Sequence, residues 1–283
     1  MMNVTWSEVQ LRRLKELDAD AEEMDAPFES TVERDKAFRQ LEKRLIKKAR
    51  YQLKELREKY FRPGLCRLES ALVQALTAKG FVQVTTPTIM SRGHLAKMTI
   101  DQTHPLFSQV YWVDKDKCLR PMLAPHLYYV LKDLLRLWEK PVRIFEVGSC
   151  FRKESQGAQH AAEFTMLNLV EMGLPMEERQ PRLKELADLV IKTTGLETYS
   201  LETETSTVYG ETIDVMAGQG EREVEVGSAA LGPHPLDRAW RITEPWVGIG
   251  FGLERLLMVK ANSQNLAKMG RSLAYLDGIR LNI

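Results

Sequence analysis

The chain has few cysteines, and their positions do not fit a metal site or a disulfide framework. Cys66, Cys118 and Cys150 are scattered and form no Cys-x-x-Cys pair, so we expect buried thiols. The five histidines likewise show no metal-ligand spacing. Long apolar runs are also missing, and the first residues lack the basic-then-apolar pattern of a signal peptide. We therefore expect a cytoplasmic protein that has no structural zinc site and does not span a membrane.

Length and composition suit one large domain with a smaller appendage. The chain has 283 residues, of which 44% are hydrophobic and 28% charged, enough for a substantial core. The best candidate boundary is Arg62-Pro63-Gly64, where helical spacing stops. We predict an N-terminal helical region at residues 1–62 and a catalytic domain at residues 63–283.

Charge is nearly balanced overall but is unevenly distributed. The net charge is +1, yet residues 34–67 carry thirteen Lys and Arg against four acids, a net of +9. Residues 1–33 carry nine acids and three bases, a net of −6. A basic helix after an acidic one is typical of a surface that binds a polyanion. The alternative is a solvated helix face laced with pairs such as Glu55–Lys59.

The periodicity of apolar residues predicts an α+β fold. Predicted helices cover residues 6–17, 30–60, 65–79, 124–138 and 175–194, and another opens at Gly252. Predicted strands cover residues 81–87, 142–151, 163–172, 199–204, 211–216, 223–229 and 246–251, with a hairpin formed by 110–113 and 118–120. Early helices, consecutive strands and a late helix indicate an antiparallel sheet flanked by helices.

Three ordered segments fit one ligand, ATP. In Phe151-Arg152-Lys153-Glu154, the Arg152 and Glu154 side chains share one face of a strand, so Arg152 suits the α-phosphate and Glu154 the adenine amino group. Phe164 could stack on the base, with Arg255 on its opposite face or at the γ-phosphate.

Glu225 and Ser228, on a late strand, offer oxygen ligands for Mg²⁺. Taken singly, each of these motifs is more often an ordinary strand or turn. Their order and their fit to one ligand favour an ATP site.

These motifs resemble motifs 1, 2 and 3 of the class II aminoacyl-tRNA synthetases, with Pro87 at a strand end, Phe151-Arg152-Lys153-Glu154 and Gly250-Phe251-Gly252-Leu253-Glu254-Arg255. Further segments, such as Leu119-Arg120-Pro121-Met122-Leu123-Ala124-Pro125 and Val208-Tyr209-Gly210, are similar to the pyrrolysyl-tRNA synthetase family. The resemblance covers residues 60–283 densely and the basic region more loosely.

The resemblance implies a class II catalytic fold, a homodimer and two-step charging through an aminoacyl-adenylate. It implies an aminoacyl-tRNA ligase that activates pyrrolysine, or a related bulky lysine derivative, and transfers it to the 3′ end of its cognate tRNA. The positions that correspond to the family's ATP and Mg²⁺ site are Arg152, Glu154, His160, Ala161, Phe164, Glu225, Ser228 and Arg255.

The resemblance also implies a deep pocket for the amino acid. Ala124, Leu127, Tyr128 and Leu131 share one helix face, which by spacing alone is more often core. The other positions that match the pocket are Asn168, Val170, Tyr209, Ala230, Trp246, Gly248 and Gly250, with Asn168 as the amide that binds the substrate carbonyl.

The partners implied are tRNA, the amino acid and a second copy of the chain. The first 60 residues do not resemble the extra tRNA-binding domain of some family members, so we expect a stand-alone catalytic form and a separate small tRNA-binding protein. The alternatives are a synthetase for another large amino acid, of phenylalanyl type, a carboxylate-activating ligase that uses no tRNA, and a catalytically idle binding paralogue.

Overall fold

The chain forms two compact units. The computed structural model describes residues 4–153, 161–206, 208–218, 220, 223–263 and 265–283. The N-terminal unit comprises Met1–Pro63 with Ser272–Ile283, and the sheet unit comprises Gly64–Arg271. No pattern in the sequence indicates that Ser272–Ile283 groups with the N-terminal helices. Among the described residues, none of the helices combines the length and apolar character that a membrane span requires.

The N-terminal unit is built on three helices, α1 (Glu8–Glu16), α2 (Ala21–Met24) and α3 (Thr31–Glu55), the last continuing as a π-helical turn at Leu56–Tyr60. Ser30 caps α3, because its hydroxyl accepts a hydrogen bond from the Glu33 amide at 3.2 Å. The core of this unit is small and mainly apolar; it contains Trp6, Leu14, Leu17, Phe28 and Leu45.

In the part of the sheet unit that the structure describes there are six α-helices and nine strands. Its helices are α4 (Gly64–Ala78), α5 (Arg92–Lys97), α6 (Ala124–Leu137), α7 (Arg179–Thr194), α8 (Asp237–Trp240) and α9 (Leu253–Lys260). Its strands are β1 (Val82–Gln83), β2 (Ile89–Ser91), β3 (Lys117–Leu119), β4 (Val142–Phe151), β5 (Glu163–Met172), β6 (Ser200–Ser206), β7 (Gly210–Ala217), β8 (Val224–Gly232) and β9 (Trp246–Gly252). Seven strands form one sheet in the order β1-β4-β5-β9-β8-β7-β6.

The predicted α+β class is confirmed, and β4 to β9 lie close to the predicted strands. One detail was wrong: only Val82–Gln83 of residues 81–87 is a strand, and it pairs with β4 in parallel, whereas the other neighbours in this sheet are antiparallel. The predicted hairpin is present but short. Trp112 and Cys118 form one antiparallel bridge, flanked by hydrogen bonds from the Val113 amide to the Lys117 carbonyl and from the Leu119 amide to the Tyr111 carbonyl, both 2.9 Å long, and β3 also pairs with β2.

The two faces of the large sheet carry different layers. On one face, α4, α7 and α9 bury an apolar core with residues such as Leu72, Val190 and Leu253. On the other face, α6 and α8 pack with aromatic and small residues such as Tyr128 and Trp240. The second face holds the functional site described below.

A buried ion pair joins three segments at the edge of this second layer. Arg120 and Glu146 are 4% and 1% exposed, and the Arg120 Nη1 lies 2.7 Å from a Glu146 carboxylate oxygen. The Arg120 Nε donates to the Ser149 carbonyl at 2.8 Å, and Thr86 donates to Glu146 through its amide and its hydroxyl. The ion pair therefore fixes the chain before α6 against β4.

Neighbouring titratable groups are neutral. Burial, and then His94 and Arg120, lower the pKa of His126 to about 4. Burial raises the pKa of Cys118 to about 11 and that of Cys150 to about 12, so these thiols are protonated at neutral pH. The expectation of buried thiols is confirmed for Cys118 and Cys150, while Cys66 is half-buried.

We predict that Arg120→Met lowers the free energy of unfolding by about 3–5 kcal/mol, because it leaves the Glu146 carboxylate buried without its charged partner. Urea denaturation measures the loss. The control is Arg136→Met, whose exposed ion pair with Asp133 should contribute less than about 1 kcal/mol. Equal losses in the two variants would contradict a structural role for the buried pair.

Candidate active site

One cavity of about 380 Å³ in the sheet unit brings the predicted site residues together. It is open on one side and runs along the face of the sheet that α6 covers. Two predicted residues, Glu154 and His160, lie outside the described residues. All the others line the cavity: Ala124, Leu127, Tyr128, Leu131, Arg152, Ala161, Phe164, Asn168, Val170, Tyr209, Glu225, Ser228, Ala230, Trp246, Gly248, Gly250 and Arg255.

The floor of the cavity follows from strand register. Residues of one face lie opposite each other in rows across β5, β9 and β8. One row is Asn168, Gly250 and Ser228, and the next is Val170, Gly248 and Ala230. The central strand β9 contributes only glycine to both rows, so the floor is deepest along β9.

The wall opposite the floor is the inner face of α6. Leu127, Tyr128 and Leu131 are 1%, 5% and 1% exposed, and they follow the helical spacing that places them on one face with Ala124. Pro125, in the first turn of α6, costs no hydrogen bond at that position. The helix therefore presents an apolar surface to the cavity.

One end of the cavity is cationic. The Arg152 Nε donates to the Pro121 carbonyl at 3.0 Å, and the guanidinium carbon lies 5.3 Å from the centre of the Phe164 ring. Pro121 follows the buried Arg120, so the ion pair described above also supports the Arg152 side chain. The contact with Phe164 leaves this arginine oriented beside an aromatic face.

A second arginine, Arg255, stands at the start of α9. Its Nη1 lies 3.3 Å from the Glu225 carboxylate and donates to the Glu225 carbonyl at 3.1 Å. The preceding residue, Glu254, is 1% exposed and accepts from the Thr165 amide and hydroxyl at 2.9 Å. Burial raises the pKa of Glu254, and the hydrogen bonds from Thr165 oppose that shift. These bonds tie the start of α9 to β5 and so fix the backbone from which the Arg255 side chain extends.

Oxygen atoms that could bind a metal ion lie near Arg255. The Ser228 hydroxyl donates to the Asp214 carboxylate at 2.6 Å across the β7–β8 pair. Glu225 is half-exposed at the cavity rim. Among the residues that the structure describes, no cluster of three or more His, Cys, Asp or Glu could hold a metal ion by itself. The donor set fits a hard cation that takes its remaining ligands from a phosphate-bearing substrate.

The other end of the cavity is aromatic. The Tyr128 and Trp246 rings meet edge to face at 5.9 Å, and Tyr209 approaches Trp246 in the same way at 6.4 Å. Burial raises the pKa of both tyrosines above its ordinary value. Both phenols are therefore neutral near pH 7, and this end of the cavity is apolar.

The sequence reasoning missed several lining residues, and strand alternation could have found some of them. Asn168 and Val170 were chosen, so Met166 and Met172 on the same strand face follow by the two-residue period. Gly252 follows Gly248 and Gly250 in the same way. Leu106 and Leu266 come from irregular segments, and no local pattern marks them.

The comparisons with known proteins agree with this geometry. Residues 54–277 match the family model of the tRNA synthetases class II core domain (F), so the chain belongs to the class II tRNA synthetases. A crystal structure of pyrrolysyl-tRNA synthetase from Desulfitobacterium hafniense is 53% identical, covers 100% of both chains and superposes with a TM-score of 0.93. Within its class, the chain therefore belongs to the pyrrolysyl-tRNA synthetase family.

Two further relatives give the same class. A second structure of a pyrrolysyl tRNA synthetase from the same organism is 53% identical, with a TM-score of 0.89, covering 99% of this chain and 96% of that one. A histidine–tRNA ligase from Methanosarcina acetivorans is 25% identical over 134 residues. That match spans 46% of this chain and only 32% of the ligase.

We predict that Gly227 on β8 and Gly250 on the floor differ in their tolerance of alanine. A Cβ at Gly227 would meet the Gly250 carbonyl oxygen at 2.7 Å and the Phe251 ring at 2.6 Å, so Gly227→Ala should cost about 1–3 kcal/mol. A Cβ at Gly250 would meet the end of the Met166 side chain at 3.2 Å, the Asn168 amide nitrogen at 3.7 Å and the Ser228 carbonyl oxygen at 3.9 Å. Gly250→Ala should therefore unfold close to the wild type, and thermal melting of both variants measures the difference.

Proposed function

We propose that the protein activates pyrrolysine, or a related bulky lysine derivative, with ATP and transfers it to the 3′ end of its cognate tRNA. The observation that carries this is the cavity, cationic at one end and aromatic at the other, with one amide, Asn168, between them. The full-length similarity to the pyrrolysyl-tRNA synthetase of Desulfitobacterium hafniense supports the same conclusion.

In the first step, the amino acid's own carboxylate attacks the α-phosphorus of ATP and pyrophosphate leaves. The protein needs no nucleophile for this step, so it must hold the reactants in line and stabilise the negative charge on phosphate oxygens. Arg152 suits the α-phosphate and Arg255 the outer phosphates, while Phe164 offers a ring for the adenine. In the second step a terminal ribose hydroxyl of tRNA attacks the carbonyl carbon, and AMP leaves.

The dimensions of the cavity suit a long side chain. Phe164 and Val170 are six residues apart on β5, which corresponds to about 20 Å along the strand. Asn168 lies between them and forms part of the cavity floor, where its amide can bind a carbonyl in the middle of the substrate. A phenylalanyl-type substrate would leave this amide without a partner.

Glu225 and Ser228 would hold Mg²⁺, together with phosphate oxygens of the substrate. A bound Mg²⁺ would neutralise charge on the triphosphate. In this structure the Glu225 carboxylate already meets Arg255, but a carboxylate has two oxygens and can serve both partners. The few protein ligands agree with the usual binding of Mg²⁺ through one or two carboxylates plus phosphates.

The basic helix α3 supports tRNA as a partner. Lys43, Lys47, Lys48 and Arg50 are all exposed, so their charge is available to a polyanion. Tyr51 and Phe61, 62% and 75% exposed, add aromatic faces among these cations. Clustered cations with exposed rings are typical of nucleic-acid surfaces.

A homodimer is supported by exposed apolar side chains in the sheet unit. Val82, Ile89, Tyr129 and Leu137 are between 45% and 71% exposed. They lie on β1, β2 and α6. Large exposed apolar side chains are typical of an interface between protein chains where they lie together, and we propose that these do. A second copy of the chain is the partner that we propose for them.

We predict that Arg152→Ala and Arg255→Ala each reduce amino-acid-dependent ATP–pyrophosphate exchange by two to three orders of magnitude. Loss of one donor to developing charge costs about 2.7–4 kcal/mol in the barrier. The experiment compares pyrrolysine, Nε-acyl lysines and phenylalanine as substrates of the wild type. Exchange with phenylalanine alone would overturn the proposed substrate.

The matched control is Arg136→Ala, because this arginine is exposed at the end of α6 and does not line the cavity. Its exchange rate should equal that of the wild type. Wild-type exchange in Arg152→Ala or Arg255→Ala, with unchanged melting, would remove that arginine from the mechanism.

We also predict that replacing Lys43, Lys47, Lys48 and Arg50 together by glutamine weakens tRNA binding and flattens its salt dependence. For each phosphate that is no longer neutralised, the log–log salt slope should fall by about one unit. Exchange without tRNA should not change. The control replaces four exposed cations of the sheet unit, Lys79, Arg136, Lys184 and Lys192. An equal slope in both variants would mean that α3 is only a solvated helix face.

A further inference from the structure

The row of residues that forms the cavity floor continues onto β7. Asn168 on β5 and Ser228 on β8 are the partners of Gly250 on β9, and Asp214 on β7 is the next partner of Ser228. Asp214 is half-buried and is not among the residues that line the cavity. Its carboxylate accepts a hydrogen bond from the Ser228 hydroxyl at 2.6 Å. The row therefore places a carboxylate directly beside one of the two residues that we propose as Mg²⁺ ligands.

A β-bulge brings both of these residues to the same face of β8. Val226 is the extra residue of the bulge, because Glu225 and Gly227 pair with consecutive residues of β7. Residues three apart on a regular strand point to opposite faces, and one extra residue between them restores a common face. Val226 itself packs into the apolar core on the other side of the sheet. Glu225 and Ser228 accordingly both line the cavity.

The hydrogen bond to Asp214 determines the direction of the Ser228 proton. An ionised carboxylate can only accept, so the hydroxyl is the donor. The distance of 2.6 Å is typical of a charge-assisted bond between a hydroxyl and a carboxylate, which is stronger than a bond between neutral groups. A serine oxygen carries one proton and two lone pairs. With the proton held by Asp214, the lone pairs of the Ser228 oxygen can bind a cation.

We propose that Asp214 is a positioning residue that prepares Ser228 as a neutral oxygen ligand for Mg²⁺. A hydroxyl whose proton pointed at the metal ion would repel it, and a hydroxyl without a fixed acceptor would have to be oriented when the ion binds. Asp214 removes both costs, as carboxylates do for other metal ligands. This inference rests on the proposed function, in which Glu225 and Ser228 hold Mg²⁺ together with phosphate oxygens of ATP.

The alternative is a cross-strand pair that only stabilises the sheet. Such pairs contribute about 0.2–1 kcal/mol to stability. Loss of a purely structural pair would lower the melting temperature and act on ATP with and without metal alike. Loss of a positioning residue would act on the metal-dependent part of ATP binding alone.

The test measures ATP binding by calorimetry without an amino acid, once in the presence of MgCl₂ and once in the presence of EDTA. Asp214→Ala should weaken the binding of Mg·ATP about tenfold, the lower end of the effect of losing a group that orients a metal ligand. It should leave the binding of metal-free ATP unchanged, because Arg152, Phe164 and Arg255 are intact. Wild-type affinity for Mg·ATP in a folded Asp214→Ala protein would overturn the proposal.

Two comparisons separate orientation of the hydroxyl from an effect of charge. Asp214→Asn keeps an oxygen that can accept the Ser228 proton, so its affinity for Mg·ATP should stay within about threefold of the wild type. In a Ser228→Ala background, Asp214→Ala should cause no further loss, because the oriented hydroxyl is absent. If Asp214 bound the metal or acted through its charge, the asparagine variant would be as weak as the alanine variant, and the loss would persist without the hydroxyl. Either result would contradict the positioning role.

The matched control is Glu202→Ala. Glu202 is exposed and pairs with Asp214 from β6, so its loss removes a negative charge one strand further from the cavity. This variant should bind both forms of ATP as the wild type does, and a tenfold loss of Mg·ATP binding would assign the effect to charge and overturn the proposal. If Asp214→Ala folds poorly, Asp214→Val takes its place, since a β-branched side chain suits a strand and also lacks the acceptor.

Failure of the proposed function is a separate result. A wild type that binds neither form of ATP, or that binds both forms equally well, would contradict the proposed Mg²⁺ site and with it the role of Asp214. A wild type that prefers Mg·ATP, together with Asp214 variants that keep the same preference, would overturn the role of Asp214 alone.

Discussion

The buried contact between Arg120 and Glu146 is the constraint on which the site depends. Both side chains are almost fully removed from water, so each requires the other as a charge partner. The pair fixes the segment that carries the Pro121 carbonyl, and that carbonyl receives the Arg152 Nε. The same segment leads directly into α6. One ion pair therefore supports Arg152, the arginine that we propose for the α-phosphate, and the beginning of the cavity wall formed by α6.

The glycines in the floor of the cavity leave space for a substrate. Gly248 and Gly250 on β9 lie beside Val170 and Asn168 on β5, so the middle strand adds no side chain where a substrate would lie. Because the sheet is continuous, backbone hydrogen bonds hold the polar end and the apolar end of the cavity at a fixed separation. In the proposed function, a long substrate would reach the arginine end and the aromatic end at once, and this would orient its carboxylate toward ATP.

The sequence predicted the fold and much of the site, for identifiable reasons. Strands β4 and β5 are long and strongly patterned; Arg152 directly follows the end of β4 and Phe164 lies on β5, so their positions in the sequence place both residues. The parallel pairing of β1 could not be predicted, because two residues carry no pairing preference of their own. The hydrogen bonds that Asp237 accepts from Tyr128 and Trp246 could not be predicted either, because these partners lie on other elements and no local pattern marks them.

Three buried carboxylates thus support the walls of the cavity. Glu146 supports Arg152 through Arg120 and Pro121, Glu254 fixes the start of α9 through Thr165, and Asp237 holds Tyr128 and Trp246. Leaving a buried acceptor without its donor costs more than an exposed bond gains, so these networks have one strongly favoured arrangement. The arginines and rings are therefore oriented before substrates bind, and binding does not have to supply that order. In the proposed function, catalysis and selectivity would then depend also on residues that do not contact the reacting atoms.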